Sequence, residues 1–138
     1  MSIIEFKNTS KHFGPLKVLD GVDLSIETGE VVVLVGPSGS GKSTLLRCIN
    51  GLETITSGDL VVDGLSVTGG KRQLREIRQE AGMVFQQFNL FPQLTALENV
   101  AFGPSKVRGL SREKAREAAL DLLEKVGLRE KADHYPAE

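Results

Sequence analysis

Polar and apolar residues alternate from Ile3 to Asn8, where Ile4 and Phe6 are set against Glu5 and Lys7. They alternate again from Val18 to Glu27, with Val22, Leu24 and Ile26 on one side and Asp23, Ser25 and Glu27 on the other. A period of two predicts half-buried strands. Between them His12-Phe13-Gly14-Pro15 reads as a turn carrying an exposed aromatic, and Thr28-Gly29-Glu30 reads as a second turn. Val31 to Val35 is apolar at every position, so it predicts a strand buried on both faces. A largely antiparallel β-layer over residues 1–30 is therefore expected in front of a buried strand.

Farther along, Thr44 to Asn50 has the pattern of an amphipathic helix. Asp59 to Gly64 predicts a short strand closed by an Asp-Gly turn. An apolar run ending in Asp63 has the form of a magnesium-binding acidic strand, but it is short and Gly64 follows at once, which suits a hairpin better. Lys71 to Glu80 predicts a helix with Leu74 and Ile77 inward and its basic residues on a solvated face. Gly82-Met83-Val84-Phe85 predicts a second buried strand, ending at Gln86. The loop from Gln86 to Leu94 is unusually apolar; Phe88, Leu90 and Phe91 are either core or a surface for a partner. Thr95-Ala96-Leu97-Glu98 is a capping box that opens a short helix ending near Phe102-Gly103-Pro104. Ser111 caps a helix from Arg112 to Val126, with Ala115, Ala119, Leu122, Leu123 and Val126 on one face and Gly127 as its stop.

The chemistry concentrates in Gly36-Pro37-Ser38-Gly39-Ser40-Gly41-Lys42-Ser43-Thr44, which fits G-x-x-x-x-G-K-[ST]. A phosphate loop of this kind needs a strand to deliver it and a helix N-terminus to receive it, and the flanking patterns predict both. Gly36, Gly39 and Gly41 let successive N–H groups point at anionic oxygens. Lys42 supplies a mobile positive charge for the β- and γ-phosphates, the Ser43 hydroxyl is placed to ligate Mg²⁺, and Thr44 can donate to a phosphate oxygen. ATP and Mg²⁺ are the cofactors this implies.

Composition narrows the class without naming it. The 138 residues suffice for one domain with a core, and 40% hydrophobic with 25% charged residues is the globular average. A net charge of −1 gives no electrostatic case for nucleic acid. No apolar run approaches the roughly 18 residues that span a bilayer, and the start lacks a secretion signal, so a cytosolic location is expected. Cys48 is the single cysteine and is read as core. His12 and His134 have no partners at metal-ligand spacing, and neither is assigned a metal.

Three strings together carry a resemblance: Gly36 through Asn50, Met83-Val84-Phe85-Gln86-Gln87-Phe88-Asn89-Leu90-Phe91-Pro92, and Leu94-Thr95-Ala96-Leu97-Glu98-Asn99-Val100. With them the chain resembles the ATP-binding subunit of a bacterial ABC transporter, of the type that imports polar amino acids such as histidine, glutamine and arginine. The first string is common to phosphate-loop proteins; the second and third are specific to the transporter family. The resemblance implies an α/β fold, the P-loop NTPase core of an ABC nucleotide-binding domain, with an antiparallel β-layer over 1–30, the core through the glutamine loop over 31–94, and the start of a helical subdomain over 95–138. It further implies that Phe13 stacks on adenine, that Val18 lies beside the base or ribose, and that residues 36–44 wrap the phosphates. Gln86 would reach Mg²⁺ and the attacking water, and the loop after it would dock the transmembrane permease. A homodimer of ATP-binding subunits on the cytoplasmic face of the plasma membrane is implied as well.

The family's Leu-Ser-Gly-Gly-Gln signature, its apolar strand ending in Asp-Glu and its switch histidine are not in this sequence. Tyr135-Pro136-Ala137-Glu138 matches the residues just before the signature. Because positioning and charge stabilisation supply most of phosphoryl-transfer catalysis, the chain by itself is expected to bind nucleotide and barely hydrolyse it. The readings carried forward are an energy-coupling ATPase portion and a nucleotide-binding but catalytically inert module. A small-molecule kinase is disfavoured by Phe13 and by the β-layer preceding the loop.

Overall fold

A computed structural model describes residues 1–138, which form two compact units, Met1–Gly82 and Met83–Glu138. The first holds β1 (Ser2–Phe13), β2 (Leu16–Glu27), α1 (Lys42–Ile49), β3 (Ser57–Val62), β4 (Leu65–Ser66) and α2 (Lys71–Glu80). The second holds α3 (Ala96–Lys106), α4 (Arg112–Lys125) and a 3-10 turn at Arg129–Lys131.

The four strands make one antiparallel sheet in the order β2-β1-β3-β4. Both alternating stretches of the sequence are strands, and β1 lies in the middle, with Phe6 opposite Leu24 on one side and Leu60 on the other. The layer expected over residues 1–30 thus extends through the β3–β4 hairpin, whose turn is the Asp63-Gly64 pair, with φ of 48° and 74°. Two positive φ values in succession are what a tight hairpin turn matching the strand twist requires.

Alternation in β1 breaks at Asn8, which has φ 47° and accepts no place in either ladder. Its N–H is instead taken by the Asp23 carboxylate at 2.7 Å. Because this bulge inserts a residue, the inward side switches from Phe6 to Thr9, three positions on, rather than continuing by twos. Thr9 is fully buried and donates its hydroxyl to the Asp59 carbonyl at 2.5 Å. Gly58 passes so close beneath the bulge that a Cβ there would lie 2.1 Å from the Asn8 carbonyl oxygen, so only glycine fits.

Phe6, Leu19, Cys48, Ile55, Leu60, Val62 and Ile77 form the core of this unit, drawing on the sheet, α1 and α2. Cys48 has no exposed surface, as its reading as core predicts. Burial pushes its thiol pKa up, Glu53 adds to the shift and Lys11 opposes it. The folded state therefore holds the proton at a pH where the unfolded thiol, ionising near ~8.5, has lost it. We expect stability to fall as pH rises beyond that value and a thiol reagent to label Cys48 only on unfolding; fast labelling of the native chain would contradict this burial.

In the second unit the capping box is present in full. Thr95 Oγ1 accepts from the Glu98 N–H at 3.2 Å, and Glu98 Oε2 accepts from the Thr95 N–H at 3.0 Å. The tail folds back so that the carbonyls of His134 and Ala132 take the N–H groups of Ala96 and Leu97, both at 2.9 Å. Leu97, Ala101, Ala115, Ala119, Leu123 and Ala132 are buried together; their small side chains let α3 and α4 pack closely. At the end of α4 the Leu128 N–H reaches the Leu123 carbonyl and the Gly127 N–H the Glu124 carbonyl, the bonding pattern of a glycine-terminated helix.

Three expectations differ from the structure. Residues 31–35 form no strand: Val31, Val33 and Val35 are 89%, 77% and 90% exposed. Residues 82–85 form none either, and Val84 is 98% exposed. Hydrophobicity alone does not make a strand; its N–H and C=O groups need a neighbouring ladder, and neither segment pairs with a strand of the sheet. The helix expected to end near Phe102-Gly103-Pro104 continues to Lys106 with Pro104 inside its last turn, where little of the helix remains to be disturbed.

Candidate functional site

Residues 36–40 curl as an exposed loop, closed by a bond from the Ser40 N–H to the Pro37 carbonyl at 3.3 Å. The chain then enters α1 at Gly41, whose φ of 90° is left-handed. A Cβ at Gly41 would sit 2.9 Å from the Val18 carbonyl oxygen and 3.1 Å from Val18 Cγ1, and one at Gly36 would sit 2.9 Å from Ser40 Oγ. Glycine is thus required for the loop to lie against β2. This contact places Val18 directly beside the phosphate-loop glycines.

Gly41 is also the N-cap of α1, and no side chain caps that end. The contrast with α3 is chemical: there Thr95 Oγ1 and two backbone carbonyls occupy the first-turn N–H groups, whereas α1 presents its own toward an exposed loop. A helix end in that condition favours an anion. Lys42 turns back over the loop, its Nζ donating to the carbonyls of Gly36 at 2.7 Å and Pro37 at 2.8 Å and to Ser40 Oγ at 3.2 Å. Ser43 is exposed and Thr44 half-buried in the same first turn. The structure therefore gathers Gly36, Pro37, Ser38, Gly39, Ser40, Gly41, Lys42, Ser43, Thr44 and Val18 into one region.

Phe13 lies at the end of β1, at the β1–β2 turn, where it is 44% exposed and pairs with Leu16. The Lys11 ammonium stands 4.5 Å from the ring centroid and 3.5 Å from a Glu53 carboxylate oxygen. Gln86 belongs to the second unit, where it is exposed in a bend. Of the residues whose role was open, Phe88 is 92% exposed, while Phe91 packs on Phe102 with centroids 4.8 Å apart.

Two residues of consequence had no sequence signal. Arg78 of α2 donates from Nε to the Asn50 carbonyl and from its guanidinium to the Gly51 carbonyl, both at 3.0 Å, tying down the far end of α1. Asn99 fastens the loop after Gln86 to α3 through three hydrogen bonds, two with Phe91 and one with the Leu94 carbonyl. An asparagine four residues beyond a capping threonine is uninformative by itself, because its partners depend on how the loop returns.

Comparison with known proteins settles the family. Its sequence model, described as "ABC transporter", matches residues 19–138, nearly the whole chain. The chain belongs to the ABC transporter family. The match takes in the phosphate loop and Gln86 and leaves Phe13 and Val18 outside it. Among ABC relatives, the glutamine transport ATP-binding protein GlnQ of Escherichia coli is 69% identical over 136 residues, which cover 99% of this chain and 57% of that protein. The GlnQ of Bacillus subtilis is 52% identical over 99% of this chain and 56% of its own length. The glutamate transport ATP-binding protein GluA of Corynebacterium glutamicum is 47% identical with the same coverage. This ABC chain thus spans somewhat more than half the length of these curated relatives. Among solved structures, the ATP-binding cassette MJ0796, a dimer in a post-hydrolysis state bound to ADP and Pi, superposes with a TM-score of 0.84 at 40% identity, over 97% of this chain and 62% of that one.

Proposed function

We propose that this chain is the nucleotide-binding portion of an ATP-binding subunit that couples ATP hydrolysis to the import of polar amino acids through a membrane permease. The observation that carries the reading is the open N-terminus of α1 on a glycine-built loop, with the Lys42 ammonium held over that loop by the carbonyls of Gly36 and Pro37. The relatives' names, glutamine and glutamate transport ATP-binding proteins, supply the transport half of the proposal.

The donor set fits a nucleotide triphosphate. Loop N–H groups and Lys42 match anionic oxygens, and glycine at 41 lets the loop lie against Val18 while glycine at 36 leaves room for Ser40 Oγ. Lys42, now on the carbonyls of Gly36 and Pro37, would hold the β- and γ-phosphates. For Mg²⁺ the first unit offers the Ser43 hydroxyl, a neutral oxygen ligand of the kind a small hard cation accepts beside phosphate and water. When bound, the ion neutralises charge on the transferring phosphoryl group. Phe13 would supply a flat ring for adenine, and Val18 would lie on the ribose side. In this reading residues 1–30 form the adenine-side layer, 31–94 the core through Gln86, and 95–138 the start of the helical subdomain.

No helix is long and apolar enough to cross a membrane. We place the subunit peripherally on the cytoplasmic face of the plasma membrane, with the loop after Gln86 docking the permease and a second subunit completing a dimer. The 138 residues alone are proposed to bind Mg-ATP with little turnover, since they contain no acidic strand to position the attacking water.

Binding and turnover measured side by side on this chain test the proposal. We expect Mg-ATP to bind, with hydrolysis near background, and Phe13→Ala to weaken binding about tenfold or more, as loss of one base–aromatic stack does. Failure of the unaltered chain to bind Mg-ATP overturns the assignment. Unchanged affinity in Phe13→Ala removes the adenine site alone.

A further inference from the structure

The connection that follows α1 grips the end of β1 at three consecutive residues. The Thr56 N–H donates to the Ser10 carbonyl at 2.8 Å, Thr56 Oγ1 accepts from the His12 N–H at 2.9 Å, and between them the Glu53 carboxylate pairs with the Lys11 ammonium at 3.5 Å. Glu53 is itself fixed to the helix, since its N–H donates to the Arg47 carbonyl at 3.1 Å. The next residue of β1 is Phe13, and the Lys11 ammonium stands over its ring, 4.5 Å from the centroid.

This ion pair is held more firmly than one on open surface. The side chains of Lys11 and Glu53 are 12% and 27% exposed, whereas those of the Lys17–Asp20 pair are 59% and 68%. Exposed pairs leave long side chains free to wander; a half-enclosed lysine with two partners keeps one geometry. Phe13 nevertheless retains 44% exposure with an ammonium over one ring face. A cation in that position draws π density toward itself, which lowers the repulsion that a second flat ring meets on the opposite face.

We propose that Lys11, anchored by Glu53, is a positioning residue for the base of the nucleotide: it fixes the Phe13 ring, closes one face of it and leaves the other as the stacking surface. The inference rests on the adenine-side reading of Phe13 given above. The partners of Lys11 are Glu53 and Phe13, while Lys42 lies over the phosphate loop. Loss of Lys11 therefore acts on the base and spares the phosphates. All of these residues belong to the unit Met1–Gly82.

Titration calorimetry of the 138-residue chain with Mg-ATP and with magnesium tripolyphosphate, which has the phosphates and no base, separates the two effects. The quantity read is the ratio of the two affinities. Lys11→Met keeps the aliphatic stem without the charge, and is expected to cut that ratio about three- to fivefold, the effect of one cation–π contact at an exposed site, with tripolyphosphate affinity unmoved. Lys11→Arg, whose planar cation can serve both ring and carboxylate, should hold the ratio within about twofold. Glu53→Gln releases Lys11 from its anchor and should lower the ratio in the same direction; it serves if the methionine variant fails to fold. A ratio that Lys11→Met, or Glu53→Gln in its place, leaves unchanged overturns the inference alone. So do equal losses for both ligands, or a loss in Lys11→Arg as large as in Lys11→Met. An unaltered chain that binds neither ligand, or a ratio that Phe13→Ala leaves unchanged, overturns the adenine-side reading and the inference with it.

Discussion

Lys42→Ala should lower the affinity of this chain for Mg-ATP by at least a hundredfold while leaving its fold intact. The ammonium makes only local bonds, to Gly36, Pro37 and Ser40, and none to the core, so its removal costs little in the free protein. With nucleotide present the same group meets two phosphates. Each charge-assisted hydrogen bond contributes about 1.5–3 kcal/mol, so two of them amount to about 3–6 kcal/mol and more than about two decades in Kd. Equilibrium binding of a fluorescent ATP analogue, with circular dichroism on the same samples, measures both halves of the expectation. Retained affinity would dismiss Lys42 and with it the phosphate-loop assignment.

The second large effect concerns residues 31–35. Exposure alternates along them, with Val31, Val33 and Val35 outward and Leu34 half-buried, although no strand pairs with the segment. Such a row of unpaired backbone and valine side chains is a template for another chain. We expect the 138-residue chain to self-associate as its concentration rises, and the triple variant Val31→Lys, Val33→Lys, Val35→Lys to remain monomeric. Burying three valines contributes at least about 4–5 kcal/mol, so their loss should move the association midpoint by about a thousandfold or more. Sedimentation velocity over a concentration series decides it. A unsubstituted chain that stays monomeric throughout would show that this edge is inert.

How far the sequence could be read follows from where each signal is stored. The alternation in β1 and β2, the Asp63-Gly64 hairpin, the Thr95–Glu98 capping box and the glycine stop of α4 are local, since each is decided by residues within one or two turns or strand repeats. All are present in the structure. The phosphate-loop string is local in the same sense: its glycines and Lys42 specify a loop whose geometry the backbone alone must satisfy. Residues 31–35 and 82–85 were misread because an apolar run reports a preference for burial and says nothing about whether a partner strand is at hand. The bulge at Asn8 was equally hidden, as it exists to fit Gly58 and Asp23, fifty and fifteen residues away.

The sequence by itself determined the family, because the strings at residues 36–50 and 83–100 that carry it are contiguous in the chain, and the family model matches residues 19–138. It determined the start of α3 and the stop of α4 for the same reason, but not the end of α3. Only the tertiary structure decided that Val18 packs on Gly41, that Arg78 secures the far end of α1, that Asn99 holds the loop after Gln86, and that the four valines of residues 31–35 stand open. These are pairings between residues distant in sequence or between a side chain and a returning backbone, and composition and spacing carry no record of which groups will meet.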